Sequence, residues 1–362
     1  MSENRKSANI DQGRAAPGVR LCVRPCLLLA LLAISLFSAC NRNRAPREIA
    51  YVSAPQAFLR DQVSAVFNKT GTVKNGEVVQ VLGRDRRFVH VRTSAGVEGW
   101  VEQRYLVTKE TYDAFQALAR QAAADPVQAT AVAHNQTNIH LQADRDSDHL
   151  YQVDQGAKLS LLKRASSEKP APVGQAKVST PGTDAASAPA APPMEDWWLI
   201  RDEAGHAGWV LGRMLDVDVP LEIAQYAEGQ RTVASFVLDE VTDGDKKVPQ
   251  YLVLLTENKD GMPFDFNALR VFTWNVRKHR YETAYRERNL AGVLPVTLTH
   301  ENFDKEGDLP VFTVRVKDDT GNVTERKYKL NTPIVHRVLA PGEQKEVVSH
   351  QTAVVRRKRR RR

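Results

Sequence analysis

Apolar and polar residues alternate along most of the chain in short runs, which Gly, Asn and Asp residues separate. This two-residue period predicts β-strands with one buried face, because successive side chains of a strand point to opposite sides of a sheet. Such runs fill residues 48–107, 129–216 and 217–341, and the last range contains eight of them. The pattern therefore predicts a mainly β chain in three parts.

One segment has a helical period instead. Residues 108–128 carry apolar side chains at three- and four-residue spacing, at Tyr112, Phe115, Leu118, Ala119 and Ala122. Thr108 is a suitable N-terminal cap, and the Asp-Pro pair at 125–126 ends the pattern. We expect a helical connector whose apolar stripe packs against the β-domains; a helix that binds a partner is the alternative.

A six-residue phrase occurs twice. The sequence GVEGWV at 96–101 returns as GHAGWV at 205–210, and each copy closes one of the first two β-rich parts. Its glycines indicate a tight turn and its Trp-Val pair a strand. Trp100 and Trp209 are expected in the cores, because both lie in strands beside Val. We interpret the two parts as an internal duplication.

The order of parts in residues 48–107 resembles the bacterial SH3 family. Leu59 lies in an opening strand, residues 74–82 read K-x-G-x-x-V-x-V-L, residues 88–91 read aromatic-x-x-V, and the G-x-x-G-W-V phrase follows. The resemblance implies two small SH3-like barrels, at 48–107 and 129–216. We expect an antiparallel β-sheet or sandwich domain after them, at 217–341.

Two features distinguish the copies from each other and from the family. Residues 59–63 keep only the leucine and one basic residue of the family's first loop, which commonly forms a wall of the ligand groove. The second copy also contains an insertion at 166–193, rich in Ala, Pro, Ser and Thr. Such a segment buries too little apolar surface to order, so we expect a disordered loop.

The N-terminus has the pattern of an export signal. Arg20 and Arg24 precede an apolar run at 27–37, which is shorter than the ~20 residues that span a bilayer. Residues 37–40 (FSAC) resemble a bacterial lipobox, which implies a signal peptide at 1–39, lipidation of Cys40 and a tether at 40–47. Asn41 after the cysteine implies an outer-membrane location facing the periplasm; an uncleaved short membrane anchor is the alternative.

The net charge of +8 is concentrated at the two ends of the chain. The last seven residues supply seven of these charges and residues 1–39 a net of three, which leaves −2 for residues 40–355. This balance disfavours a nucleic-acid-binding face on the folded body. The tail at 342–362 is expected to be disordered, and it ends in the cations Arg356, Arg357, Lys358, Arg359, Arg360, Arg361 and Arg362. Anionic lipids or lipopolysaccharide are candidate partners of this tail; a solubilising end without a partner is the alternative.

No motif for catalysis, a metal or a cofactor is present. Bacterial SH3 domains often accompany peptidases with a cysteine nucleophile, but Cys22, Cys26 and Cys40 are the only cysteines, so that mechanism cannot operate in the body. The nine histidines show no zinc-binding spacing. We expect a protein that is not an enzyme.

The leading hypothesis is a lipid-anchored envelope protein whose tandem SH3-like domains bind peptidoglycan or an envelope protein. Candidate ligand contacts are the aromatic residues expected at the barrel rims, namely Phe88, Tyr105, Trp197 and Trp198. One alternative is a scaffold or assembly factor for a membrane-protein complex. The other is an intracellular polyanion binder that uses the arginine-rich tail.

Overall fold

Three antiparallel β-sheets of seven strands each make up most of the structure, a computed structural model that describes residues 48–170 and 192–339. The predicted mainly β fold class, with two small barrels and then an antiparallel sheet, is confirmed. The predicted segments 1–39, 40–47 and 342–362 and most of the insertion lie outside the described residues. Within the described ranges, no helix is long and apolar enough to span a membrane.

The first sheet forms the first barrel (residues 48–107). Its strands are β1 (Ile49–Val52), β2 (Gln56–Arg60), β3 (Lys69–Lys74), β4 (Val78–Asp85), β5 (Phe88–Thr93), β6 (Glu98–Glu102) and β7 (Leu106–Thr108). Their spatial order is β3-β2-β6-β5-β4-β1-β7. The alternation seen in the sequence buries Leu59, Val73, Val89 and Val91 in one small core, while their neighbours in the strands face outward.

The second sheet forms the second barrel (residues 129–216). Its strands are β8 (Ala129–Ala133), β9 (Thr137–His140), β10 (His149–Val153), β11 (Lys158–Glu168), β12 (Met194–Arg201), β13 (Ala207–Leu211) and β14 (Leu215–Val217). Their order, β10-β9-β13-β12-β11-β8-β14, repeats the first sheet strand for strand. Strands β11 and β12 pair as far as Glu168 and Met194, so the ladder extends into the predicted insertion; residues 171–191 are outside the described ranges.

The duplicated glycine phrase has a steric explanation. Gly96 and Gly205 adopt φ values of +82° and +85° in the turns before β6 and β13. At Gly208 a Cβ atom would lie 2.4 Å from Ile139 Cγ2, and at Gly99 it would lie 2.8 Å from Leu59 Cβ. The second glycine of each phrase therefore lets two strands approach closely. The phrase builds the barrel.

The tryptophans of that phrase point outward. Gly99 and Val101 face the core of the first barrel, so Trp100 between them faces away from it and stacks on His90 at a ring-centroid distance of 4.9 Å. Trp209 likewise faces away from the core of its barrel, but it is partly buried against a small apolar cluster that includes Leu162 and Leu199. The expectation that Trp100 is a core residue is thus wrong, because strand alternation assigns the core to its neighbours, and Trp209 packs against a smaller cluster outside the main core.

Helix α1 (Lys109–Ala122) lies between the two barrels. Thr108 caps it, since the Thr108 hydroxyl accepts a hydrogen bond from the Thr111 amide at 3.3 Å. Phe115 is fully buried in the core of the second barrel, and Tyr112 stacks on Tyr51 of the first barrel with ring centroids 3.8 Å apart. The apolar stripe of the helix packs against both barrels.

The third sheet forms the C-terminal domain. Its strands are β15 (Arg231–Asp243), β16 (Lys246–Thr256), β17 (Phe266–Asn275), β18 (Arg280–Asn302), β19 (Asp308–Lys317), β20 (Val323–Asn331) and β21 (Ile334–Val338), in that spatial order. This domain has seven strands in the described residues, whereas the sequence predicts eight, because two predicted strands are parts of the single long β18. One core unites apolar residues of β15 to β21, so the sheet folds on itself. The short helix α2 (Leu221–Ala224) covers the outer face of β16 through Ile223.

The second barrel and the C-terminal domain share one apolar core, which includes Trp198 and Leu215 of the barrel and Val233 of β15, and these three residues line one small cavity at the boundary. The fully buried Gln128 side chain reinforces the contact by accepting a hydrogen bond from the Val296 amide at 2.7 Å.

A buried ionic cluster lies at the same boundary. The Asp196 carboxylate, 4% exposed, accepts hydrogen bonds from Arg164 at 2.6 Å, Ser166 at 2.8 Å, the Gly261 amide at 2.9 Å and Arg231 at 2.9 Å. Because Arg231 and Gly261 belong to the C-terminal domain, this cluster fixes that domain against the second barrel.

Candidate functional site

An open groove of about 450 Å³ lies on the first barrel. It runs between the loop after β2 and the turn between β4 and β5, and it is lined by Arg60, Val63, Ser64, Ala65, Arg86, Arg87 and Phe88. One wall is thus formed by the small side chains of Val63, Ser64 and Ala65 and the other by arginines. Such a groove can hold an extended chain that combines apolar and charged groups.

The floor of the groove is an aromatic ring with cations on it. Phe88 is 4% exposed, and the Arg60 guanidinium lies 5.0 Å from its ring centroid and 4.1 Å from that of Phe67. Arg60 also donates a hydrogen bond to Glu102 at 3.2 Å. These contacts hold the Arg60 side chain in place, because both its planar face and its N–H groups are engaged.

The apolar wall is a loop, residues 61–68, that is closed at its base. The Asp61 amide donates to the Asn68 carbonyl at 3.1 Å, and the Asp61 carboxylate accepts hydrogen bonds from the Asn68 amide and side chain, both at 2.9 Å. The Asn68 backbone amide and then its side chain lower the pKa of Asp61. The Asp61 carboxylate is therefore ionised at neutral pH, and its hydrogen bonds to Asn68 stabilise the loop that forms this wall.

Arg86 and Arg87 carry the available positive charge of the groove. Both side chains are exposed, and neither forms an ion pair with another of the residues that the structure describes. The nearby Glu102 carboxylate is already bound by Arg60 and by Arg104, at 2.9 Å. Exposed guanidinium groups without an ion-pair partner can bind carboxylate or phosphate groups through paired hydrogen bonds.

The corresponding position on the second barrel is closed. Trp197 takes the place of Phe88 and His140 that of Arg60, with their rings in edge contact at 5.3 Å. The Arg145 side chain reaches from the loop at 141–148 to Glu195, with hydrogen bonds of 2.6 and 2.5 Å. Burial lowers the pKa of His140, as expected for a ring covered by this loop.

The two barrels also differ in charge at this position. Arg86 and Arg87 precede Phe88 in the first barrel, whereas Glu195 and Asp196 precede Trp197 in the second. Burial raises the pKa of Asp196, but hydrogen bonds from the Gly261 amide and Arg164 more than offset it, so the pKa is below its ordinary value. Both acidic side chains are thus ionised and neutralised by the protein itself.

The four predicted aromatic contacts do not form one site. Trp197 and Trp198 lie in the second barrel and are 1% and 7% exposed, and Phe88 is similarly buried. The expectation that these three rings offer an accessible rim surface is wrong, because the loop at 141–148 and the C-terminal domain cover β12, and the Arg60 and Arg87 side chains lie over Phe88. Tyr105 alone is partly exposed, and its hydroxyl accepts a hydrogen bond from Arg104 at 2.8 Å.

Other predicted sites lie outside the described residues, namely Cys40 and the basic run at 356–362. Among the residues that are described, no group of three or more His, Cys, Asp and Glu side chains is placed to hold a metal ion. Sequence reasoning missed Arg60, Arg86 and Arg87 as site residues. The available signal was an arginine-rich turn beside an aromatic residue in one copy, with acidic residues at the same place in the other.

Searches with the chain find distant structural likenesses. A NlpC/P60 family protein from Bacillus cereus aligns at 9% identity and a TM-score of 0.22, over 51% of this chain and 64% of the other protein's length. NlpC2 from Trichomonas vaginalis aligns at 10% identity and a TM-score of 0.17, over 67% and 98%. Scores this low do not indicate a shared overall fold.

The sequence comparisons identify one part of the chain. No curated protein matches the chain. The sequence profile of the bacterial SH3 domain family matches residues 55–107, which include every residue that lines the groove. The first barrel is therefore a bacterial SH3 domain.

Proposed function

We propose that this chain is a non-catalytic cell-envelope lipoprotein whose first barrel binds peptidoglycan in the arginine-lined groove. The observation that carries the proposal is an open groove on a bacterial SH3 domain, whose counterpart on the second barrel is filled by the protein's own side chains. Bacterial SH3 domains commonly bind peptidoglycan. The second barrel then acts as a support for the C-terminal domain, as a diverged copy of the first.

Sedimentation of the full-length protein with purified sacculi tests the wall-binding role. We expect wild type to sediment with sacculi and Ser64→Trp to stay in solution, because a Trp side chain at 64 fills the groove. Ser94→Trp, at an exposed turn of the same barrel, is the matched control and should sediment like wild type. Failure of wild type to sediment refutes wall binding.

A scaffold or assembly factor is the second candidate function. Large apolar side chains are exposed on the C-terminal domain, with Leu221 at 87% and Val237 at 51%, and such residues favour a protein partner. Photo-crosslinkers placed at Val63 and at Val237 in cells separate the two functions. Peptidoglycan adducts at Val63 support wall binding, whereas one discrete protein adduct at Val237 supports the scaffold.

Envelope attachment is part of the proposal and rests on the lipobox resemblance at Cys40. Two or more acyl chains on one cysteine anchor stably to a membrane, and each tail cation near an anionic surface adds ~1 kcal/mol. Labelling cells with a fatty-acid analogue should mark wild type but not Cys40→Ala. Unlabelled wild type would favour the intracellular polyanion binder.

A further inference from the structure

We propose that the groove of the first barrel recognises free carboxylate groups on the stem peptides of peptidoglycan, and that Arg86 and Arg87 make the contact. This inference rests on the proposed function and makes it specific. It selects the peptide part of the wall polymer as the ligand and assigns the glycan strands no contact in the groove.

The second barrel contains a guanidinium–carboxylate pair, formed by its own side chains, at the position that corresponds to the groove. Glu195 there binds Arg145 through two hydrogen bonds of 2.5 and 2.6 Å, and Asp196 binds Arg164 at 2.6 Å. The Glu195–Arg145 pair lies at the counterpart of the groove, whereas Asp196 belongs to the ionic cluster at the C-terminal domain, so this position of the fold accommodates a guanidinium–carboxylate pair. In the first barrel the arginines are on the barrel and face solvent, so a ligand that enters the groove can supply the complementary carboxylates.

The aromatic residues argue against a sugar as the ligand of the groove. Sugar recognition by stacking needs an exposed ring face, but Phe88 is 4% exposed and the Arg60 and Arg87 guanidinium groups lie 5.0 and 5.4 Å from its centroid. A stacking surface is therefore already occupied. The uncovered chemical groups are the N–H donors of Arg86 and Arg87.

The opposite wall fits a short aliphatic group beside the carboxylate. Val63 and Ala65 face the arginines across the groove, and the loop that carries them is closed by the Asp61–Asn68 hydrogen bonds. Stem peptides combine free carboxylates with alanine methyl groups. An amidated stem peptide would keep the methyl contacts but lose the charge, so the groove should discriminate between the two forms.

Chemical amidation of the wall tests this inference. Native sacculi and sacculi whose carboxyl groups have been converted to amides are titrated with full-length wild type and with the double variant Arg86→Gln/Arg87→Gln. We expect wild type to bind amidated sacculi about tenfold more weakly, which is the magnitude of one charge-assisted contact. The double variant should bind native sacculi about tenfold more weakly and respond little to amidation.

The control is a double variant that removes two positive charges outside the groove, at the exposed Arg120 and Arg277. General attraction between a basic protein and an anionic wall would weaken both double variants equally, so only a difference between them reports the groove. The inference is overturned if wild type binds both kinds of sacculi equally, or if the two double variants bind alike. Binding to neither kind overturns the proposed function as well; equal binding to both leaves it standing.

Discussion

Replacing Asp196 by asparagine tests the joint between the second barrel and the C-terminal domain. The substitution keeps the shape of the side chain and removes its charge. One oxygen of Asp196 accepts from Arg164, Ser166 and the Gly261 amide, and the other accepts from Arg231. An amide group in this place puts N–H donors against other donors, whichever way it is turned.

The expected cost follows from burial. Asp196 is 4% exposed and the Arg164 side chain 6%, so water does not replace the lost partner. Breaking a buried ion pair from one side costs about 3–5 kcal/mol. Arg164 keeps the Phe264 carbonyl at 2.9 Å and Asp265 at 3.3 Å, so we expect the lower end, about 3 kcal/mol. For a cooperative unit of about 150–250 residues, such as the second barrel with the C-terminal domain, the melting temperature should fall by roughly 6–12 °C.

Urea unfolding followed by Trp fluorescence measures this cost. The Asp196→Asn midpoint should fall with little change in slope. The control is Asp216→Asn, because Asp216 is 71% exposed in its pair with His134 and should change stability by less than about 0.5 kcal/mol. In an Arg164→Met background the cost of Asp196→Asn should shrink by about 1 kcal/mol or more. Equal midpoints for Asp196→Asn and Asp216→Asn would refute the role of the cluster.

Three further predictions concern stability. The pKa of Asp196 is lower in the folded protein than in the unfolded chain, so the ionised carboxylate stabilises the fold above the unfolded-state pKa of about 3.9. This stabilisation is lost as the pH falls through the folded-state pKa, so the difference in free energy of unfolding between wild type and Asp196→Asn should narrow on acidification. A difference that stays constant with pH contradicts this. Gly208→Ala should abolish soluble expression or lower the unfolding midpoint strongly, because its Cβ atom would lie 2.4 Å from Ile139 Cγ2 and the Ile139 strand would have to move. Thr108→Ala should cost about 1 kcal/mol through loss of the helix cap in urea unfolding, whereas Thr108→Ser should match wild type.

Local features of the fold could be predicted from the sequence. The strand positions follow from alternation, which depends only on neighbouring residues, and the cap at Thr108 depends on one turn of helix. The duplicated phrase identified two units, and their sheets have the same strand order. The arginine-lined groove was not predicted, because it needs the loop at 61–68 and the turn at 84–87 to meet in space.

The predictions from sequence failed where contacts between residues far apart in the chain determine burial or strand ends. In the sequence the Trp pair at 197–198 follows a Pro- and Ala-rich insertion, a position typical of an exposed rim. In the structure the loop at 141–148 and the C-terminal domain cover both faces of β12. The segment at 289–292 resembles a turn between two strands. Asn289 absorbs a bend at φ +58°, and Gly292 leaves space for the Phe266 ring, so β18 continues through it.

The shared core of the second barrel and the C-terminal domain has a consequence for native-state hydrogen exchange. Amides in these two parts should exchange through one cooperative opening, since apolar side chains of each part are buried in the shared core. The first barrel has a separate core and meets the remainder through the Tyr51–Tyr112 stack, the Val107 side chain and a hydrogen bond from Asn75 to the Leu150 carbonyl. Its amides should exchange through an opening of lower free energy, so the domain with the open groove forms a foldon of its own.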